Sequence, residues 1–148
     1  MQIKMLDAAG VRSHAPQLRA LLLDAVAHGA SVGFVMPLAI DVADGYWVDV
    51  IRAVEGGSRI LLAAWREHVL VGTVQLDLCM KANGSNRAEV QKLLVHSGAR
   101  RDGVGSALME AAEMQALALR RGLLFLDTEA GSHAEALYAR LGYTRVGE

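Results

Sequence analysis

A short segment in the second half of the chain combines glycines with positive charge. Gly103 and Gly105 stand one residue apart, directly after Arg100 and Arg101, and Ser106 follows them. Glycine lets a backbone turn tightly and come close to a ligand, and the N–H groups of a first helical turn point toward negative oxygens. The two arginines attract the same oxygens. The segment therefore predicts an anion site at the start of a helix.

Two common phosphate-binding loops do not match this spacing. A Walker A loop needs Gly-Lys-Ser or Gly-Lys-Thr at its end, and the segment has neither. The dinucleotide-binding pattern needs a third glycine where Leu108 stands. Taken alone, the glycine pair is better explained by an ordinary strand-to-helix turn with two solvated arginines. Other residues must therefore decide which phosphate ligand is bound.

The pattern of apolar residues predicts the elements that would position this segment. Pro16 suits the first turn of the first long helix, Asp44 is expected to cap the second, and Ser132 with Glu135 forms a capping box for the last. The order strand, helix, helix, three strands, helix, strand, helix, strand predicts an α/β fold, a mixed sheet flanked by helices. The predicted strands cover residues 3–6, 59–65, 69–80, 88–95, 123–126 and 143–146, and the predicted helices cover 16–29, 44–54, 103–118 and 132–141. The second and third strands are expected to form a hairpin through the polar residues 66–68.

Alternation within the fourth strand divides its side chains between two faces. One face is expected to carry Glu89, Gln91, Leu93 and Val95, and the other Ala88, Val90, Lys92 and Leu94. This arrangement places Glu89 and Gln91 in the middle of the strand that leads to the glycine segment.

Composition excludes several classes of protein. The chain has 148 residues, 53% of them hydrophobic, and carries 15 Lys and Arg against 16 Asp and Glu. One domain over residues 1–148 is expected, without the basic excess that nucleic-acid binding needs. The longest apolar run, residues 60–65, is too short to span a bilayer, and the N-terminus shows no secretory signal. Cys79 is the single cysteine and the five histidines lack metal-ligand spacing, so we expect a cytoplasmic protein without a metal.

Two motifs resemble those of the GNAT superfamily of acetyl-CoA-dependent N-acyltransferases. The pattern Arg100-x-x-Gly103-x-Gly105 resembles its coenzyme A loop, and residues 136–143, Ala-Leu-Tyr-Ala-Arg-Leu-Gly-Tyr, are similar to its second signature. The resemblance implies a GNAT-like mixed, mostly antiparallel sheet flanked by helices, with acetyl-CoA as co-substrate. It implies that the loop holds the pyrophosphate and that strand backbone at residues 93–95 pairs with the pantetheine arm. The implied cofactor-binding residues are Leu93, Leu94, Val95, Arg100, Arg101, Gly103, Val104, Gly105, Ser106 and Ser132.

A narrower resemblance, to the tabtoxin resistance proteins of that superfamily, extends over most of the chain. It rests on residues 29–34, 86–95, 121–132 and 143–148. It implies that the acceptor is a small amino-acid-like molecule, with residues 31–34 lining its pocket. Superfamily members carry a further strand after the one expected at residues 143–146, so a shortened C-terminal end is expected.

Acetyl transfer to an amine makes definite demands on side chains. The amine must lose a proton, and the departing thiolate benefits from a proton donor. Tyr138, which the resemblance places at the thioester sulfur, is the expected general acid, although a tyrosine that only fills the core is the alternative. Asp127 is the first choice for the base and Glu89 the second. A carboxylate that orders the next loop or binds the substrate ammonium fits Asp127 equally well.

The sequence leaves more than one function open. We expect acetylation of a small-molecule amine, such as a β-lactam toxin or an antibiotic with amino-acid character. The alternatives are an N-acetyltransferase for peptides or proteins and a domain that binds acyl-CoA without turnover. Neither nucleic acid nor membrane is an expected partner, and a second subunit in a homodimer could complete the acceptor wall.

Overall fold

The computed structural model describes residues 1–29, 37–78, 87–121, 123–126 and 133–144. A 3-10 turn covers Ser97–Ala99. The elements in chain order are β1 (Gln2–Leu6), α1 (Ala8–Ser13), α2 (Ala15–Ala27), α3 (Ile40–Glu55), β2 (Arg59–Arg66), β3 (Val69–Leu78), β4 (Arg87–Val95), α4 (Val104–Ala118), β5 (Leu123–Leu126) and α5 (His133–Arg140).

The five strands form one sheet in the order β1-β2-β3-β4-β5. The first three pairings are antiparallel, and β4 pairs with β5 in parallel. Parallel neighbours need a long crossover, which α4 supplies between β4 and β5. The predicted mixed, mostly antiparallel sheet is confirmed.

The predicted hairpin between β2 and β3 closes through a two-residue turn. Arg66 pairs with Val69, and both residues between them have positive φ, 51° at Glu67 and 69° at His68. Two successive left-handed residues form the type of turn whose twist matches that of antiparallel strands.

Each face of the sheet carries its own apolar core. On one face α1, α2 and α3 pack through Val11, Leu18, Leu21, Leu22, Trp47 and Val50 against Leu61, Ala63 and Leu94. On the other face α4 and α5 pack through Val104, Leu108, Met109, Ala112 and Tyr138 against Leu62, Ala64, Val74, Leu76 and Val90. Successive residues of β2 therefore alternate between the two cores, as a strand covered on both faces requires.

Two helix starts differ from the prediction. Asp7 caps the short helix α1, its Oδ1 accepting from the Gly10 N–H at 2.7 Å, and no separate helix was expected there. The third helix begins at Ile40 rather than at Asp44, and no side chain caps it. Asp44 lies inside the helix and instead accepts two hydrogen bonds from Arg19 of α2, at 2.6 and 2.8 Å. The bond between helices explains why this aspartate does not mark a helix start.

The C-terminal part is described only to residue 144. Gly142, with φ 92°, ends α5 as expected. Tyr143 and Thr144 are not in a strand, and the remainder of the predicted final strand lies outside the described residues. Cys79, Met80 and residues 31–34 also lie outside them. No helix in the described ranges is long and apolar enough to cross a membrane.

Candidate active site

A β-bulge in β4 changes which side chains share a face. Gln91 pairs with Gln75 and Leu94 pairs with Thr73, so β4 has one extra residue opposite Val74. Lys92 adopts φ 53° at this point. An extra residue reverses the alternation beyond it. Leu94 therefore lies on the same face as Glu89, contrary to the prediction, and packs with α1 to α3.

The predicted grouping of Leu93 and Val95 with Glu89 is wrong for the same reason. Both side chains pack on the α4 face, and each lies within 4 Å of where a Cβ on Gly105 would stand. The predicted pairing of Glu89 with Gln91 on one face is preserved, because both precede the bulge.

The outer edge of β4 is paired for only part of its length. β5 pairs with Arg87 to Val90, whereas β4 continues to Val95. Among the described residues no strand pairs with that edge beyond Val90. An extended chain could hydrogen-bond to this edge as an added strand would. Backbone at Leu93, Leu94 and Val95, predicted to bind pantetheine, lies along this edge.

The glycine segment adopts the backbone expected of an anion site. Arg101 and Gly103 have φ 67° and 82°, and Gly103 is the N-cap of α4 with no side-chain cap bond. The N–H groups of Val104, Gly105 and Ser106 have no acceptor within the helix, because a first turn lacks residues four positions earlier. They are thus placed to bind oxygens of a phosphate.

The two glycines serve different purposes. A Cβ on Gly103 would meet nothing within 4 Å, so glycine is required there because of its left-handed φ and not for lack of space. A Cβ on Gly105 would stand 2.9 Å from Leu137 Cδ2 of α5. Gly105 is therefore needed for close packing of α4 against α5.

Ion pairs and hydrogen bonds fix the loop from both sides. Asp102 accepts from Arg66 Nη1 at 2.9 Å, and Arg100 Nη1 donates to the His28 carbonyl at 3.0 Å. Arg101 is exposed and Arg100 is half-buried. The structure thus places both arginines at the predicted loop, and one nitrogen of Arg100 donates to backbone at the end of α2.

Asp24, which the sequence did not single out, ties α2 to the segment before the loop. Its carboxylate accepts from the Ser97 N–H and hydroxyl, both at 2.7 Å. His28 Nδ1 and His96 Nε2 lie 3.4 and 3.7 Å from Asp24 Oδ1. Burial acts to raise the pKa of Asp24, but the two Ser97 bonds and the nearby histidines hold it below its usual value. Lone polar residues in helices give no sequence signal for such a contact.

A network of polar contacts lies beneath α3 and crosses β4, β3 and β2, and Glu89 is at one end of it. Gln91 Nε2 donates to Glu89 Oε1 at 2.7 Å and lies 3.4 Å from Asp77 Oδ2. Arg59 contacts Asp77 at 3.5 Å and Gln75 Oε1 at 3.1 Å. At the other end of this network, the fully buried Gln75 donates to Tyr46 Oη of α3 at 2.7 Å. The sequence predicted only Glu89 of this group.

Tyr138 lies on the opposite face of the sheet from Glu89. It is 8% exposed within the α4 core, and its ring meets that of Tyr143 edge-on at 6.0 Å. Burial raises the pKa of Tyr138 to about 12, so the hydroxyl keeps its proton through the physiological range. Asp127 and Ser132, also predicted as site residues, lie outside the described residues.

Comparison with known proteins identifies the class. Residues 35–143 match the acetyltransferase (GNAT) family. The chain belongs to this family and is an acetyltransferase of the GNAT type, a family that generally uses acetyl-CoA.

Solved structures share the fold. An aminoglycoside acetyltransferase from an uncultured soil metagenomic sample superposes with a TM-score of 0.78 and 20% identity, covering 99% of this chain and 93% of that one. A ribosomal-protein-alanine N-acetyltransferase from Brucella melitensis gives 0.77 and 23%, covering 99% and 86%. A transcriptional regulator from Bacillus halodurans C-125 gives 0.74 and 23%, covering 99% and 96%. These similarities establish the GNAT fold and leave the acceptor to be argued from the site.

Proposed function

We propose that this protein transfers the acetyl group of acetyl-CoA to the primary amine of a small amino-acid-like molecule. One observation carries the proposal. The open edge of β4 and the N-terminus of α4 lie on one continuous segment, with Glu89 and Tyr138 on opposite faces of the sheet beside it. Acetyl transfer needs a base for the acceptor and a proton donor for the leaving group, and this arrangement supports the assignment of those roles to Glu89 and Tyr138.

The residues fit coenzyme A at two points. First-turn N–H groups of α4, with Arg100 and Arg101, would hold the pyrophosphate. The unpaired edge of β4 over residues 93–95 would hydrogen-bond the amide groups of the pantetheine arm. When bound, acetyl-CoA supplies the activated acetyl group.

Removal of the amine proton is assigned to a carboxylate. Glu89 is half-buried, and Gln91 fixes one of its oxygens at 2.7 Å. We assign its other oxygen to the acceptor ammonium. Asp127, which follows β5, is the other carboxylate that we propose for this step, as base or as ammonium anchor. Proton removal leaves the amine lone pair available to form the C–N bond.

Tyr138 is assigned to the leaving sulfur. A free thiol has a pKa of about 8.5, so complete proton transfer from a phenol with a pKa of about 12 is uphill by about 5 kcal/mol. A hydrogen bond from the phenol to the developing thiolate needs no such transfer. We therefore assign Tyr138 to hydrogen-bond donation as the C–S bond breaks, with full protonation of the thiolate completed later.

The acceptor class follows from the charges near Glu89. Arg59 and Lys92 stand near Asp77 and Glu89, so the site carries both signs of charge. A small zwitterion, which carries an amine and a carboxylate, matches this pattern. Detoxification of an amino-acid-like toxin or antibiotic in the cytoplasm is the role that we propose.

Turnover against a panel of acceptors tests the proposal. Free amino acids, an aminoglycoside such as sisomicin, and peptides with a free N-terminus or lysine would each be incubated with acetyl-CoA while free thiol is measured. We expect amino acids to be acetylated most efficiently. Efficient acetylation of peptides without acetylation of amino acids would contradict the proposal and support a protein-directed enzyme.

A further inference from the structure

We propose that Arg59 binds the carboxylate of the acceptor and so selects amines that carry one. The inference rests on the proposed function and extends it to a residue outside the motifs of the loop and α5. It names the side chain that distinguishes an amino acid from a simple amine or a polyamine.

Arg59 stands in register with the candidate base. In the antiparallel ladder Arg59 pairs with Asp77, and Asp77 pairs with Glu89, so the three residues form one row on the α3 face. Neighbouring strands lie about 4.8 Å apart. The long arginine side chain can therefore converge with Glu89 on one small molecule.

Some donors of the Arg59 guanidinium have no partner among the described residues. It carries five N–H bonds. Nη1 donates to Gln75 at 3.1 Å, and Nη2 reaches Asp77 only at 3.5 Å. Its buried Nε finds no acceptor in the part of the chain that the structure describes. An arginine with a purely structural role would have these donors satisfied, because an unsatisfied buried donor is costly.

Gln75 orients the guanidinium without neutralising it. Gln75 is fully buried and is itself held by Tyr46 of α3, so its oxygen has a fixed position. The Arg59 side chain is 22% exposed, which leaves part of its planar fork open. A fixed and partly open guanidinium is the geometry that binds a carboxylate with two parallel bonds.

Neighbouring charges suit a zwitterion, because two cations, Arg59 and Lys92, stand beside two carboxylates, Asp77 and Glu89. Lys92 lies close enough that burial and the Arg59 charge lower its pKa, while Glu89 acts in the opposite direction. A carboxylate beside Arg59 and Lys92 relieves the repulsion between the two cations, and the ammonium of the same molecule faces Glu89. A polyamine would bring further positive charge to the same place.

The test compares acceptors that differ only in the carboxylate. Leucine would be paired with 3-methylbutylamine, and lysine with 1,5-diaminopentane, for the wild type, Arg59→Met and the control Arg52→Met. Arg52 is 76% exposed on α3, where it pairs with the equally exposed Asp49 and not with a residue of the cluster. We expect Arg59→Met to lower kcat/KM for the amino acids about 100-fold, mainly through KM, and to change it less than about 3-fold for the amines. The control should change neither.

The outcomes separate the proposals. Equal losses for both acceptors in folded Arg59→Met, or no preference for the amino acid in the wild type, would overturn the assignment of Arg59 while leaving acetyl transfer intact. If no small amine is acetylated, the proposed function fails. Calorimetry of lysine binding to the CoA-saturated protein then tests separately whether Arg59 binds a carboxylate. Binding that Arg59→Met abolishes supports the carboxylate site, and absence of binding to the wild type overturns it.

Discussion

At the scale of single residues, the proposed proton-transfer roles are divided between the two faces of one sheet. Glu89 belongs to a polar network under α3, whereas Tyr138 is buried among apolar side chains of the α4 core. A carboxylate needs polar surroundings to remain charged, and a phenol that must keep its proton benefits from burial. The two environments thus suit the two opposite proton roles.

Replacing Tyr138 by phenylalanine tests the donor role. The change removes one hydroxyl and keeps the ring that packs against Tyr143. We expect kcat to fall about 100-fold while acetyl-CoA affinity, measured by calorimetry, stays within about 2-fold. An unchanged kcat, under conditions where the chemical step limits turnover, would show that the ring only fills the core.

Replacing Glu89 by glutamine tests the base. The amide keeps the shape of the side chain and cannot accept a proton, so we expect kcat to fall about 100-fold or more and the acid limb of the pH–rate profile to disappear. Asp127→Asn is the matched variant. If Asp127→Asn alone removes the limb, the base is Asp127, and a raised acceptor KM with an unchanged limb identifies an ammonium anchor.

At the scale of elements, the end of β4 and the start of α4 form the proposed cofactor side of the site. The bulge at Lys92, the early end of the β4–β5 ladder and the left-handed Gly103 each alter a regular element at this place. Such irregularities cost stability where they occur and concentrate at functional sites. Their contacts with α2 and β2 hold the segment in position.

Gly103→Ala measures what the left-handed loop contributes to coenzyme A binding. Gly57 offers a matched control, since its φ of 79° is similar and a Cβ there also meets nothing within 4 Å. Both alanine variants should lose about 1 kcal/mol of stability from backbone strain. Only Gly103→Ala should weaken coenzyme A binding, by about 10-fold or more in calorimetry. Equal affinity in the two variants would mean that this loop does not hold the pyrophosphate.

Asp24→Asn measures the attachment of α2 to the loop segment. The folded-state pKa of Asp24 lies below its unfolded value, so its contribution to stability is fully present above that unfolded value, about 3.9. It is lost as pH falls through the lower folded value. We expect Asp24→Asn to cost about 2 kcal/mol at pH 7 in urea unfolding, and the difference from the wild type to shrink below about pH 4. The exposed Asp49→Asn should show no such loss, and a pH-independent difference would contradict the role of the charge.

At the scale of the whole molecule, the pattern of apolar residues predicts the architecture, because helices cover both faces of the sheet. The apolar runs of β2 and β3 and the helical spacing of α2, α3 and α4 follow directly from burial against two layers of helices. The hairpin at Glu67 and His68 could be predicted because two apolar runs are separated there by only three polar residues, 66–68.

The parts of the site that sequence could not predict depend on tertiary contacts. Nothing in the sequence indicates that Lys92 has a positive φ and that β4 is bulged there. The faces of Leu93 to Val95 were therefore predicted wrongly. Asp44 looks like a helix cap until Arg19 is found beside it. The partners of Glu89 lie on β2, β3 and α3, which only the folded sheet brings together. The predictions for the loop and Tyr138, in contrast, rest on contiguous motifs that are visible in the sequence.

The most direct test of the central claim is to follow a labelled acetyl group. The protein would be incubated with leucine and acetyl-CoA that carries a ¹³C-labelled acetyl group, and the products would be analysed by mass spectrometry while free thiol is measured. If the acetyl group is transferred to the amine, the amount of labelled N-acetylleucine will equal the amount of thiol released. We expect the rate of its formation to be about 100-fold lower in Glu89→Gln or Asp127→Asn. Coenzyme A binding without thiol release, or thiol release with only labelled acetate, would contradict the account.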